Sequence, residues 1–150
     1  MRKKIVITAF GFMGDLNPYL ALARRLGKEG HYLVIATSEY YRTTVKKAGI
    51  DFYPVQPDID VGDHDLVSLV MEPRTGSQIL VRQILLSRLK DSYRDLLEVA
   101  RDSDLLITHP LTFAGPLVAE IAGIPWYQPF FHLYRSFQLT TCRYSRHTLT

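Results

Sequence analysis

The chain has 150 residues, 47% apolar and 22% charged, which fits one domain with its own core and excludes disordered and collagen-like classes. Its formal charge of +3 comes from 18 basic and 15 acidic residues, but the whole excess is Arg135, Arg143 and Arg146. The first 126 residues carry 15 of each sign, so the charge does not argue for an acidic partner.

The single cysteine, Cys142, excludes an internal disulfide framework and a multi-cysteine metal site, and it fits a reducing compartment. The apolar run after Met1-Arg2-Lys3-Lys4 is too short for a signal peptide, and no stretch is long enough to span a membrane. The expected location is cytoplasmic.

Residues 4–9 (KIVITA) are a β-branched run, expected as a buried strand. Residues 10–16 read as a loop. Asn17-Pro18 then read as N-cap and first helical position, where proline's missing N–H costs nothing. Leu20, Ala23 and Leu26 follow at helical spacing, up to a stop at Gly30. Residues 32–36 form a second strand, 39–48 a helix ended by Gly49, and 51–55 a third strand. The acid-rich stretch 56–75 reads as a long loop with one helical turn at 66–71.

Residues 77–101 read as one long helix, with Ile79, Arg82, Leu86, Leu89, Tyr93, Leu96 and Ala100 stepping at threes and fours. Residues 104–108 form a fourth strand. Thr112 is expected to cap a helix running to Ala122, and Ile124-Pro125-Trp126 to open a fifth strand. This alternation predicts an α/β fold, a Rossmann-like parallel sheet with flanking helices. Ligands of such sheets bind at the carboxyl ends of the strands, which directs attention to loops 10–17 and 109–112.

Ala9-Phe10-Gly11-Phe12-Met13-Gly14 nearly matches the dinucleotide fingerprint, with Ala for the first glycine. That fingerprint starts its helix at the middle glycine, which would put Pro18 in the second turn, where proline removes a hydrogen bond and clashes. A nicotinamide dehydrogenase is disfavoured on this ground.

A later helix start leaves Asp15 in the loop before a helix N-terminus, whose dipole favours the carboxylate. Two readings stand. Asp15 satisfies backbone N–H groups there, or it accepts a proton from a substrate hydroxyl as a general base. Phe10, Phe12 and Met13 either pack on helices or face an apolar ligand. His109 is either a turn residue or part of that ligand site. Asp58, Asp60, Asp63, His64 and Asp65 lack the EF-hand glycine and terminal Glu, so they read as a solvated loop and not a metal site. Arg82, Arg88, Lys90 and Arg94 are interleaved with acids and form a solvated face, with no nucleic-acid patch.

The run from Gly14-Asp15-Leu16-Asn17-Pro18 to Ala23, then Gly30-His31, Ala36-Thr37 and Ala48-Gly49-Ile50-Asp51-Phe52, resembles the glycosyltransferase family 28 N-terminal domain. Asp104 to Leu111, Ala114 to Glu120 and Gly123-Ile124-Pro125-Trp126 resemble a second block of the same family, in the right order and spacing. The resemblance implies the N-terminal half of a GT-B glycosyltransferase, a relative of UDP- and sterol glucosyltransferases. This half holds an acceptor such as a lipid or sterol, and a second domain holds the nucleotide sugar, expected to be a UDP-hexose.

Such enzymes are typically inverting and metal-independent, without a further cofactor. An Asp or His in the loop after the first strand deprotonates the acceptor hydroxyl. The resemblance therefore implies Asp15 as the base and Phe10, Phe12, Met13, His109 and Leu111 as acceptor-facing residues, with Gly11 and Gly14 in the loop near the donor. It also allows peripheral contact with a membrane. A non-catalytic Rossmann-like module binding a small molecule is the alternative.

The family pattern stops at Trp126. Residues 127–150 contain no acid and show no clear period, and Pro129 sits poorly in a central strand. Two readings stand: a binding tail, or a slipped reading frame, and the second can be followed codon by codon. Trp has one codon and Tyr127 begins TA, so the hidden codon across their junction encodes valine. Permitted choices of the remaining wobble bases let the hidden frame run V-S-T-F-F-P-P-L-S-F-F-S-A-Y-D-L-P-V, which resembles the family's own continuation. On this expectation residues 1–126 are the acceptor domain, 127–150 are an aberrant tail, and the donor domain is absent, leaving the 150 residues inactive alone.

Overall fold

The computed structural model describes residues 1–129. Cys142, the three tail arginines and most of the segment assigned to a slipped frame lie outside the described residues.

Five parallel strands form one sheet in the order β3-β2-β1-β4-β5: β1 (Lys4–Thr8), β2 (Tyr32–Thr37), β3 (Asp51–Pro54), β4 (Leu105–Thr108) and β5 (Trp126–Tyr127). The register pairs Val6 with Val34 and with Leu106, and Thr8 with Ala36 and with Thr108, so β1 is central. Successive side chains point to opposite faces, which explains why the strands read as continuous apolar runs. Ile5, Ile7, Leu33, Ile35 and Ile107 meet Leu16, Tyr19, Leu20 and Ala23 of α1 (Met13–Lys28) and Val45 of α2 (Arg42–Lys47). Val6, Val34 and Leu106 meet Leu96 and Val99 of α5 (Leu89–Ala100) and Val118 of α6 (Ala114–Ala122) on the other face.

Four expectations need correction. Helix α1 starts at Met13 and not at Pro18, which lies inside it. Its buried stripe begins at Leu16 and continues at Tyr19, Leu20 and Ala23, the i, i+3, i+4, i+7 pattern of a core-facing helix. Packing of that stripe outweighs the one hydrogen bond that Pro18 removes, and the carbonyl left without an N–H belongs to Gly14, which is exposed. The Pro18 objection to a dinucleotide site therefore falls.

Second, Thr112 does not cap α6. Its N–H and its hydroxyl both donate to the His109 carbonyl and close a turn, and Phe113 holds the N-cap position.

Third, residues 77–101 are not one helix. A short α4 (Gly76–Ile79) passes into a π-helical stretch (Leu80–Leu86) before α5 begins at Leu89. The wider π turn shifts the register, so Leu85 is buried while Leu86, the residue of the expected stripe, is exposed. The Ser87 hydroxyl donates to the Ile84 carbonyl, a local competition that bends helices.

Fourth, residues 39–48 divide into a 3-10 turn (Glu39–Tyr41) and α2, and the single turn expected at 66–71 is α3 (His64–Val70). The acids of that region build turns. Asp63 accepts from the backbone N–H of Asp65 and Leu66 and caps α3, Asp60 accepts from Gly62, and Asp58 accepts from the Ser38 hydroxyl (2.5 Å) and the Glu39 N–H.

Candidate active site

The carboxyl ends of β1, β2 and β4 converge on one edge of the sheet. Ala9 leaves β1 buried, and Gly11 then turns the chain with φ of +121°, a conformation open to glycine and strained for other residues. The turn delivers Asp15 to the third position of α1. Its Oδ2 accepts from the Phe12 N–H at 2.9 Å, while its own N–H donates to the Phe12 carbonyl at 2.9 Å. Asp15 thus lies in the first turn of the helix and not in the loop before it.

The same carboxylate occupies the space over Gly11, where a Cβ would fall 2.4 Å from Oδ2. A pyrophosphate would need this space and this helix end, and both already carry a negative charge. The geometry thus supplies the reason against a dinucleotide site that Pro18 does not.

Oδ2 is committed to Phe12. Asp15 Oδ1 has no hydrogen bond among the described residues. Asp15 is exposed at the edge of an apolar groove with about 90 Å³ of water-accessible space. Phe10, Gly11, Phe12 and Leu111 line one side. The far wall is Ile59, Val61, the Leu66, Val67 and Val70 stripe of α3, and Leu80 at the start of the π-helical stretch. Whole-ligand pockets typically measure about 300–1,000 Å³, so the groove receives part of a ligand and leaves the rest outside.

The structure thus brings Asp15, Phe10, Gly11, Phe12 and Leu111 together. Met13 and Gly14 point outward from α1 and do not line the groove, and neither does His109. The sequence reading missed the far wall. Its signal was present in the i, i+1, i+4 spacing of Leu66, Val67 and Val70, in the one helical turn expected within a stretch otherwise read as loop.

His109 follows β4 and packs against Tyr19 in a tilted arrangement, with ring centroids 5.8 Å apart and the ring planes at 59°. Its Nδ1 accepts from the Leu111 N–H at 3.1 Å, which places the proton of the neutral ring on Nε2. Burial holds its pKa below the usual histidine value, with the Asp15 charge opposing. A neutral ring with Nδ1 occupied and Nε2 protonated is a donor. The Tyr41 hydroxyl donates to the Gly11 carbonyl at 3.0 Å and fixes the turn from below.

Among the described residues no group of three or more His, Cys, Asp or Glu side chains could hold a metal ion. No helix among them is long and apolar enough to cross a membrane.

The family model described as the glycosyltransferase family 28 N-terminal domain matches residues 5–131. Among similar proteins, a sterol 3-beta-glucosyltransferase of Neurospora crassa is 33% identical over 131 residues, covering 85% of this chain and 8% of its own length. Its counterpart in Emericella nidulans is 35% identical, covering 85% of this chain and 9% of its own length. The chain therefore spans less than a tenth of these relatives. Among solved structures, the Streptomyces sp. SF2575 glycosyltransferase SsfS6, complexed with thymidine diphosphate, superposes with a TM-score of 0.55 at 26% identity, covering 85% of this chain and 38% of that one. The sheet, the site at its carboxyl edge and the family match over most of the chain agree: this chain belongs to glycosyltransferase family 28, as the N-terminal domain of its GT-B fold.

Proposed function

We propose that this domain binds a sterol-type acceptor and activates its hydroxyl for sugar transfer. The observation that carries the reading is the Asp15 carboxylate standing at the mouth of an apolar groove, with Oδ2 held by Phe12 and Oδ1 available. An acceptor with an apolar body and one hydroxyl matches that division: body against Phe10, Phe12 and Leu111, hydroxyl at Asp15. The names of the similar sterol 3-beta-glucosyltransferases support a sterol. The thymidine diphosphate complex of SsfS6 supports a nucleotide-sugar donor.

The reaction balances simply. Asp15 takes the hydroxyl proton, the acceptor oxygen forms a bond to the anomeric carbon, and the bond from that carbon to the nucleoside diphosphate breaks with inversion. His109, with its proton on Nε2, stands at the same edge as a hydrogen-bond donor. The donor sugar is held across the cleft by a second domain, so the 150 residues alone turn over no sugar.

Binding is tested separately from turnover. Dehydroergosterol, a fluorescent sterol, should gain emission on titration with this chain, and Phe12→Ala should weaken the effect. Equal emission with wild type, with Phe12→Ala and with buffer would remove the groove from the account.

A further inference from the structure

We infer that Gly76 is a positioning residue for the acceptor groove, setting how close α3 stands to α4 and so how wide the groove is. The inference rests on the acceptor reading above and extends it to a residue that does not line the groove.

The far wall is made by two elements that meet at a sharp turn. Leu66, Val67 and Val70 come from α3, and Leu80 from the residue just after α4. Gly76 opens α4 and is buried against the last turn of α3. A Cβ built there would fall 2.0 Å from the Val70 carbonyl oxygen, 2.7 Å from the Val70 carbonyl carbon and 3.3 Å from the Leu69 carbonyl oxygen. All three are backbone atoms, which cannot swing aside as a side chain can. Any residue larger than glycine must therefore push α3 and α4 apart, and Val70 moves with its own carbonyl.

The connecting turn is tied so that this approach is maintained. The Gly76 N–H donates to the Glu72 carbonyl at 2.8 Å. The Glu72 carboxylate accepts from the Arg74 N–H, the Thr75 N–H and the Thr75 hydroxyl at 2.6–2.9 Å. These four bonds fold residues 72–76 back on themselves and hold Gly76 against Val70. The π-helical stretch begins directly after α4, so the groove wall ends where the helix widens.

The test titrates dehydroergosterol into the 150-residue chain and its variants. Gly76→Ala should lose about tenfold in affinity, the scale of an overpacking error at a closed contact. Glu72→Ala releases the same turn without adding an atom and should also weaken binding. Gly27→Ala, in α1 where an added Cβ meets nothing closer than 4.0 Å, should bind as wild type. Val70→Phe fills the groove from the same wall and should abolish binding.

Gly76→Ala with an unchanged circular dichroism spectrum and wild-type affinity would overturn the positioning role. Should Gly76→Ala fail to fold, Glu72→Ala decides, and wild-type affinity there overturns it equally. Val70→Phe binding as wild type would instead refute the acceptor groove itself, which separates failure of this inference from failure of the proposed function.

Discussion

Replacing Gly11 by alanine tests the geometry on which the site depends. The backbone at residue 11 has φ of +121°, and a side chain held in such a region costs about 1–3 kcal/mol. The new Cβ would also fall 2.4 Å from Asp15 Oδ2, so the carboxylate must leave the Phe12 N–H. Loss of an N-terminal helix bond of this kind adds about 0.5–2 kcal/mol. Together the two effects predict about 1.5–5 kcal/mol of destabilisation, or a fall in Tm of roughly 3–20 °C for a chain of this size.

Gly14→Ala is the matched control. No atom lies within 4 Å of its added Cβ, and alanine is the better helix former by about 0.5–1 kcal/mol. Thermal unfolding followed by circular dichroism compares the two. A double-mutant cycle with Asp15→Ala isolates the clash, because once Asp15 is truncated Gly11→Ala keeps only the backbone cost. The cycle should show about 1 kcal/mol of coupling. Equal Tm values for Gly11→Ala and wild type, or strict additivity in the cycle, would refute the argument.

Two further predictions concern the groups around that turn. Tyr41→Phe removes the hydroxyl that donates to the Gly11 carbonyl and should cost about 0.5–1.5 kcal/mol in denaturant unfolding. Burial pushes the Tyr41 phenol from 10.0 up to about 12, so its contribution is complete below pH 10 and is lost as pH rises from 10 to 12; Tyr41→Phe should flatten that alkaline loss. Burial holds His109 below its ordinary 6.5, so the folded state favours the neutral ring. Stability is therefore full above pH 6.5 and falls as pH drops through the lower folded value, and His109→Gln should reduce that slope in denaturation curves taken from neutral to mildly acidic pH.

The sheet was legible because its strands are short apolar runs separated by helical stretches, and a strand buried on both faces needs no finer pattern. Part of the near side of the groove was legible for a related reason: Phe10 and Phe12 are apolar residues in a loop at the carboxyl edge, although Met13, read on the same ground, lies outside the groove and Leu111 was indicated only by the family resemblance. The start of α1 was misread because Asn17-Pro18 is a strong local signal, whereas the stripe from Leu16 to Ala23 acts through tertiary contacts. The break in the long helix was hidden because a π turn leaves apolar residues at plausible spacings and changes only which of them face inward, Leu85 in place of Leu86. The far wall was obscured by its acids. Asp58, Asp60 and Asp63 make the stretch look like solvated loop, yet their carboxylates accept backbone N–H groups and shape the support for Val61, Leu66 and Val70.

The central claim is that Asp15 removes the proton from an acceptor hydroxyl and is not only a helix cap. Asp15→Asn separates the roles, because the amide oxygen can still accept from Phe12 while the basic carboxylate is gone. The direct measurement is the rate of sugar transfer from a nucleotide sugar to a sterol, with the donor-binding domain in place, for wild type and Asp15→Asn at matched stability. The account predicts a loss of about 10²–10⁴ in kcat with acceptor KM nearly unchanged. Undiminished turnover by Asp15→Asn would contradict it.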